Sequence, residues 1–374
     1  MTLPLTRRFL LKGSGLIAGT SILSSAAEAI PSTDASERVI HLNLNENAFG
    51  PSASVAQAIQ GELDCVSRYA DTVSAQAFAE QVAAYERVPV EQVVLGEILS
   101  ALGLYLGGKG GLGGEFVYST PGYLALIDAA SHVGSVGVPV PLDKDYKNDL
   151  PALAARVNSK TRAVYLINPH NPTGTVNDDE PFKRFLREVS QYVPVIVDEA
   201  YLEYTSDFEA RSAVSLVRDG ANVIVFRTFD KIHGLAGLPI GYSIVPRMLG
   251  IALRNDGLGN AEGLGRLNIA AASAALADRG HVRKVRTVVS SERERWNSVL
   301  DTLKLQRTNS QTNFIFFNTG NPQQELAAQF RAQGIEIGRT FPPLTTWARI
   351  TIGLPVENKI VQERLRATMN ATHE

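Results

Sequence analysis

The feature that most limits how this chain can fold is a strict alternation of two rhythms along its middle. Short β-rich runs recur at 93–95, 115–118, 136–141, 163–167, 193–197, 223–226 and 240–245. Between most of them lie stretches with helical spacing, among them 124–132, 150–157 and 180–191. Such alternation predicts an α/β fold: a mostly parallel, seven-stranded sheet with helices on both faces. The gap from 226 to 240 is Gly-rich and too short for a crossover helix, so the last strand is expected to run antiparallel. From about 270 the rhythm changes to a long charged helix (282–304), a strand (313–318), a helix (323–333) and a strand (348–353), which reads as a smaller α+β domain.

Charge and cysteine content then remove several classes of function. The chain carries 36 Lys+Arg and 38 Asp+Glu, a net charge of −2, which argues against a nucleic-acid partner. No apolar window of about 18 residues occurs beyond the N-terminus, so no stable membrane anchor is expected. A single Cys65 excludes an internal disulfide and a cysteine-clustered metal site, and no metal is expected. The first residues read as an address. Thr6-Arg-Arg-Phe-Leu-Leu-Lys12 precedes a short apolar stretch to Leu23, and Ala27-Glu-Ala29 supplies small residues for cleavage. This resembles a twin-arginine (Tat) signal, which exports proteins already folded. Residues 1–29 are thus expected to be removed near Ala29 and the remainder to be periplasmic. A common reason for this route is a cofactor inserted before export.

Reactive side chains gather where the parallel strands end, which is where open α/β sheets bind ligands. After 163–167 comes Asn168-Pro-His-Asn-Pro-Thr-Gly174. After 193–197 comes Asp198-Glu-Ala-Tyr201. After 223–226 comes Arg227-Thr-Phe-Asp-Lys231, followed by Gly234-Leu-Ala-Gly237. Taken singly, an Asp at a strand end is often a helix cap, and an arginine such as Arg349 is often a surface ion pair. Taken together, an amide, a carboxylate, a phenol and a lysine would converge on one crevice.

This order, with Leu44-Asn-Glu-Asn47, Gly50-Pro51, Ser67-Arg-Tyr69, Phe341-Pro-Pro and Trp347-Ala-Arg349, resembles the fold-type I pyridoxal-phosphate (PLP) aminotransferases of class I/II, in the histidinol-phosphate aminotransferase branch. The resemblance covers about residues 40–365. It implies an N-terminal arm (30–60), a large PLP-binding domain (61–265) and a small C-terminal domain (266–374). It also implies that Lys231 holds the cofactor as a Schiff base and later shuttles a proton at Cα. Asp198 would pair with the pyridine nitrogen, Asn171 and Tyr201 would meet the ring's 3′ oxygen, and Tyr123 would stack on the ring. Arg349, with Asn47 nearby, would receive the substrate, the arginine clamping its α-carboxylate. Tyr69 would reach the cofactor of a partner subunit, so a homodimer is expected. The reactants would be an amino donor, a small amino acid or amine, and a 2-oxo acid acceptor.

One part of the pattern departs. Family members carry a Ser before the lysine and an Arg eight residues after it, both facing the cofactor phosphate; here Asp230 and Pro239 stand there. The turn Gly96-Glu-Ile-Leu-Ser-Ala101 is also bulkier than the small-residue turn expected. A carboxylate about 4 Å from a phosphate charge costs on the order of 4 kcal/mol per charge pair at an effective dielectric of about 20. Lys109, Arg247 and Arg266 are candidate substitute cations. Two readings stay open: an active transaminase, with lyase or decarboxylase chemistry as variants, and a degenerate periplasmic protein that binds a small molecule without catalysis.

Overall fold

The computed structural model describes residues 39–109 and 113–371, and the residues from Val39 onward form one compact unit. The twin arginines and the expected cleavage point lie outside the described residues.

Eleven strands are present among the described residues: β1 (Ile40–Leu42), β2 (Val93–Leu95), β3 (Glu115–Thr120), β4 (Val136–Pro141), β5 (Thr161–Ile167), β6 (Val195–Asp198), β7 (Val223–Thr228), β8 (Gly241–Ile244), β9 (Phe314–Asn318), β10 (Ile335–Ile337) and β11 (Trp347–Thr351). Seven of them form the main sheet in the order β2-β8-β7-β6-β5-β3-β4. All its neighbours are parallel except β8, which is antiparallel to both β7 and β2. The central strands are apolar on both faces because helices cover both. In β5–β7, Val164, Leu166, Val195, Val197, Val223 and Val225 point into one core. The alternate residues Ala163, Tyr165, Ile196, Ile224 and Phe226 point into a second core on the other face. Period-2 alternation thus sorts a continuous apolar run into two cores.

The C-terminal part is α+β. Helix Arg279–Thr302 and helix Pro355–Ala371 pack with the antiparallel pair β9–β11 around Trp296, Phe314, Phe317 and Leu365. This core is shared rather than separate, since Leu42, Tyr201 and Ile232 also belong to it. The N-terminal β1 pairs in parallel with β10, so the first described segment is a strand of the C-terminal part. The expected boundary at 265/266 precedes helix Arg266–Ala277, whose Ile269, Ala272 and Leu276 lie in the sheet-side core.

Candidate active site

Strand register brings the reactive residues to one edge. Ile167 of β5 lies opposite Asp198 of β6, and Asp198 lies opposite Phe226 of β7, so β5 and β6 end level and β7 runs two residues further, to Thr228. The segments that follow them enclose a cavity of about 400 Å³. Lys231, Asp198, Asn171, Tyr201, Tyr123 and Arg349 all line it, joined by Asn45, Glu97, Ser100, Thr228, Asp230, Arg339 and Phe341.

Asp198 is buried at the last position of β6. Its Oδ2 accepts from Tyr165 Oη (3.1 Å) and its Oδ1 from the Ala200 N–H (3.0 Å). Burial pushes its carboxyl up to about 6, against the pull of these two donors and of Lys231. No hydrogen bond or ion pair engages the Lys231 amine among the described residues. The turn after it packs on the N-terminal segment. Gly234 has φ +75°, and a Cβ there would stand 2.6 Å from the Gly50 carbonyl carbon, so only glycine fits.

Tyr201 Oη accepts from Asn45 Nδ2 (3.0 Å), and Thr351 of β11 holds Asn45 by its backbone N–H (3.0 Å) and Oδ1 (3.3 Å). Arg349, buried on β11, donates from Nη1 to Asn171 Oδ1 (2.6 Å) and from Nη2 to the Asn43 carbonyl (2.9 Å). Its Nε is buried without a partner. Burial lowers this guanidinium to about 10, still charged at any physiological pH. Arg339 and Arg349 both lie over the Phe341 ring, at 4.6 and 4.9 Å from its centroid, so one part of the cavity is basic.

Not every expected residue comes to the cavity. Asn47 does not line it: its Nδ2 donates to the Ile232 carbonyl (2.9 Å) and its Oδ1 accepts from Phe49 N–H (3.0 Å), so its amide fastens backbone. Asn45, two residues earlier, does line it. Tyr69 is 85% exposed and away from this chain's cavity. The candidate substitute cations are spent elsewhere. Arg247 pairs with Glu91, Arg266 with Glu62 and Asp71, and Lys109 lies over the Tyr105 ring. Pro239 is exposed, and its carbonyl accepts from Asn268. Sequence reasoning passed over Glu97 and Thr228 as site residues. Both sit at strand ends, which was the one available signal.

A larger open cleft of about 660 Å³ runs between Lys144–Lys147 and Gln306–Gln311. Its cations are each neutralised by an aspartate, as in Lys147–Asp178 and Arg211–Asp207, and no strand-end residue of the set above enters it.

Residues 37–365 match the family of class I and II aminotransferases. The chain belongs to this family. A histidinol-phosphate aminotransferase of Moorella thermoacetica is 34% identical over 337 residues, 88% of this chain and 85% of that protein. An aromatic amino acid aminotransferase of Thermobifida fusca is 33% identical over 344 residues, 90% of this chain and 94% of that protein. The crystal structure of histidinol-phosphate aminotransferase from Sinorhizobium meliloti in complex with pyridoxal-5′-phosphate has a TM-score of 0.81 at 28% identity, covering 90% of this chain and 92% of that one. This aminotransferase is therefore a PLP-dependent enzyme, and the non-catalytic reading of the sequence is set aside.

The cavity fits part of that cofactor well. A partnerless amine, a buried carboxylate supported by two donors and an exposed aromatic ring suit the aldehyde and pyridine ring. The residues beside Thr228 do not fit a phosphate dianion: Glu97 and Asp230 are carboxylates, and no arginine accompanies them.

Proposed function

We propose that this chain is an exported transaminase that takes its amino group from an amino acid whose α-carboxylate docks on Arg349. The observation that carries the reading is the unengaged Lys231 amine lying in one cavity with buried Asp198 and buried Arg349. When bound, PLP supplies an electrophilic aldehyde and an electron-accepting ring. The chain's own residues do the rest. Lys231 Nζ would hold the cofactor through its aldehyde carbon, with loss of water, and would carry the proton that leaves the donor Cα. Asp198, ionised above about pH 6, holds a proton on the ring nitrogen, and Tyr165 fixes the carboxylate's orientation. Tyr201 and Asn171 present a phenol and an amide to the ring's 3′ oxygen, and Tyr123 covers one face. Arg349 keeps its Nε–H for the donor carboxylate. Arg339, 4.6 Å from the Phe341 ring, favours a donor with a second anionic group. The relatives act on histidinol phosphate and aromatic amino acids by name, and both reactants bring an anionic or planar group to such an end.

The decisive experiment is a spectral titration with PLP. A visible band that borohydride abolishes, that an amino donor discharges and that Lys231→Ala lacks supports the assignment. The same band in Lys231→Ala overturns it. Export by the twin-arginine route, with cleavage near Ala29 and a periplasmic product, is part of this reading. Replacing Arg7 and Arg8 by Lys is expected to retain the protein in the cytoplasmic fraction, and continued export would reject it.

A further inference from the structure

Asn45 lines the cavity but takes no part in the transamination above, although all its polar atoms are engaged. It is buried and holds φ +57°, a conformation that asparagine tolerates better than most residues. Its N–H donates to Thr351 Oγ1 (3.0 Å), and its carbonyl accepts from Asn313 Nδ2 (3.0 Å). Thr351 Oγ1 in turn donates its one proton to Asn45 Oδ1 (3.3 Å). This orients the amide. With Oδ1 turned to Thr351, Nδ2 faces Tyr201 and donates to its Oη (3.0 Å). The reverse orientation would leave the Thr351 hydroxyl with no acceptor among the described residues. Tyr201 is buried too, and its ring meets Phe314 of β9 edge-on, 5.2 Å between centroids. Its Oη makes no other hydrogen bond among the described residues. The phenol oxygen thus accepts from Asn45, and the single phenol proton is left uncommitted beside the cavity that both residues line.

We propose that Asn45 is a positioning residue for Tyr201: by filling the phenol oxygen with an amide N–H, it leaves the phenol proton to the 3′ oxygen of the bound cofactor and so sets how firmly the Lys231 imine keeps its own proton. The inference rests on the PLP assignment above. In PLP the 3′ oxygen neighbours the aldehyde carbon, so in the bound cofactor it shares the imine proton. A donor aimed at that oxygen stabilises its anion and weakens its hold, and the imine then loses its proton at lower pH. An amide N–H on the phenol oxygen polarises the O–H bond and makes it a stronger donor. Without Asn45 the phenol oxygen has no partner, and the O–H loses the contact that directs it. Thr351 and Asn313 act one step further out. They fix the backbone and amide of Asn45 from β11 and from the residue before β9, so the C-terminal part sets the direction of a proton at the sheet edge.

The test follows the visible band of the PLP-loaded processed protein against pH. The midpoint of its colour change reads the imine proton and does not depend on turnover. Asn45→Gly removes the amide and accepts the positive φ without strain. It should raise the midpoint by about half a pH unit or more, the size expected for one lost neutral hydrogen bond. In the Tyr201→Phe background the same substitution should leave the midpoint where it stands, because the two residues act through one proton. Asn45→Asp keeps the shape and the backbone conformation but adds charge, which the Tyr201→Phe background measures alone. Its shift with the phenol present should exceed its shift without it by about the same half unit. Circular dichroism checks each fold, and the aspartate variant carries the test should the glycine variant not fold. Equal shifts with and without the Tyr201 hydroxyl, or an unchanged midpoint in folded Asn45→Gly, overturn the proposal and leave the PLP assignment standing. A lowered midpoint in Asn45→Gly also overturns it, since Asn45 would then be withholding the phenol proton. A parent protein with no Lys231-dependent band would overturn the PLP assignment itself and this inference with it.

Discussion

Burial lifts the Asp198 carboxyl from its ordinary value of 3.8 to about 6, so the folded chain carries an acid that prefers to be neutral. The sign of the stability effect follows. A group with a raised folded-state value stabilises the native state below its unfolded value and loses that contribution as pH rises through the folded value. Between pH about 4 and 6, ionisation of Asp198 therefore erodes stability, by on the order of 3 kcal/mol in all. Asp198→Asn should abolish that slope, giving a protein more stable than the parent in urea melts at pH 8 and little changed at pH 4, yet poor at transamination. Equal stability of the two at pH 8 would show that Tyr165 and Ala200 already compensate the charge. At this scale much of the cavity lining was legible: Asp198, Lys231, Asn171 and Tyr201 stand at or just after the ends of main-sheet strands, whose order delivers them to the crevice, while Arg349 arrives from the middle of β11 in the second sheet. Asn47 and Asn45 were not separable, because which of two nearby amides turns inward depends on a backbone kink; Asn45 has φ +57°. Glu97 likewise became a site residue only when β2 was placed beside β8.

Among the elements, β7 shows how a fully apolar-looking strand carries charge. Arg227 is buried near its end, donating from Nη2 to Glu199 Oε2 (2.9 Å) and Ser212 Oγ (2.8 Å), with Nη1 3.2 Å from Glu86 Oε1. Glu203, close by, pairs with His233 at 3.3 Å. Removing one member of such a network leaves the others buried and uncompensated, which costs about 3–5 kcal/mol. Arg227→Met is expected to lose stability of that size in denaturant melts, and adding Glu86→Gln and Glu199→Gln to it should return a large part. A single variant as stable as the parent would mean that water reaches this network. The elements themselves were legible from periodicity, including the antiparallel β8, which the short Gly-containing connection between 226 and 240 favours. The pairing of β1 with β10 was not: both are three residues long, too short to carry a pattern.

For the whole molecule, the exposed Tyr69 and its clasp by Arg266, which donates to the Tyr69 carbonyl (2.8 Å), motivate the expectation of a two-fold dimer in which this tyrosine serves the neighbouring cavity. Sedimentation at micromolar concentration should give twice the mass of the processed chain, and Tyr69→Ala should weaken PLP binding without dissociating the dimer. A fully active monomer would reject the arrangement. The sequence by itself determined the α/β class, the run of strands and most of the polar residues that gather at the cavity, because a period of two or 3.6 and the position of a polar residue after an apolar run are local properties that survive without neighbours. It also determined that the usual phosphate partners are missing, since Asp230 and Pro239 are read directly. What stands beside Asp230 only the tertiary structure decided. Glu97 comes from a segment more than 100 residues from Thr228 and Asp230, and its hydrogen bond with Thr228 exists only once β8 has laid β2 against the far side of β7. The raised Asp198 carboxyl is likewise a property of enclosure, which no single stretch of chain possesses.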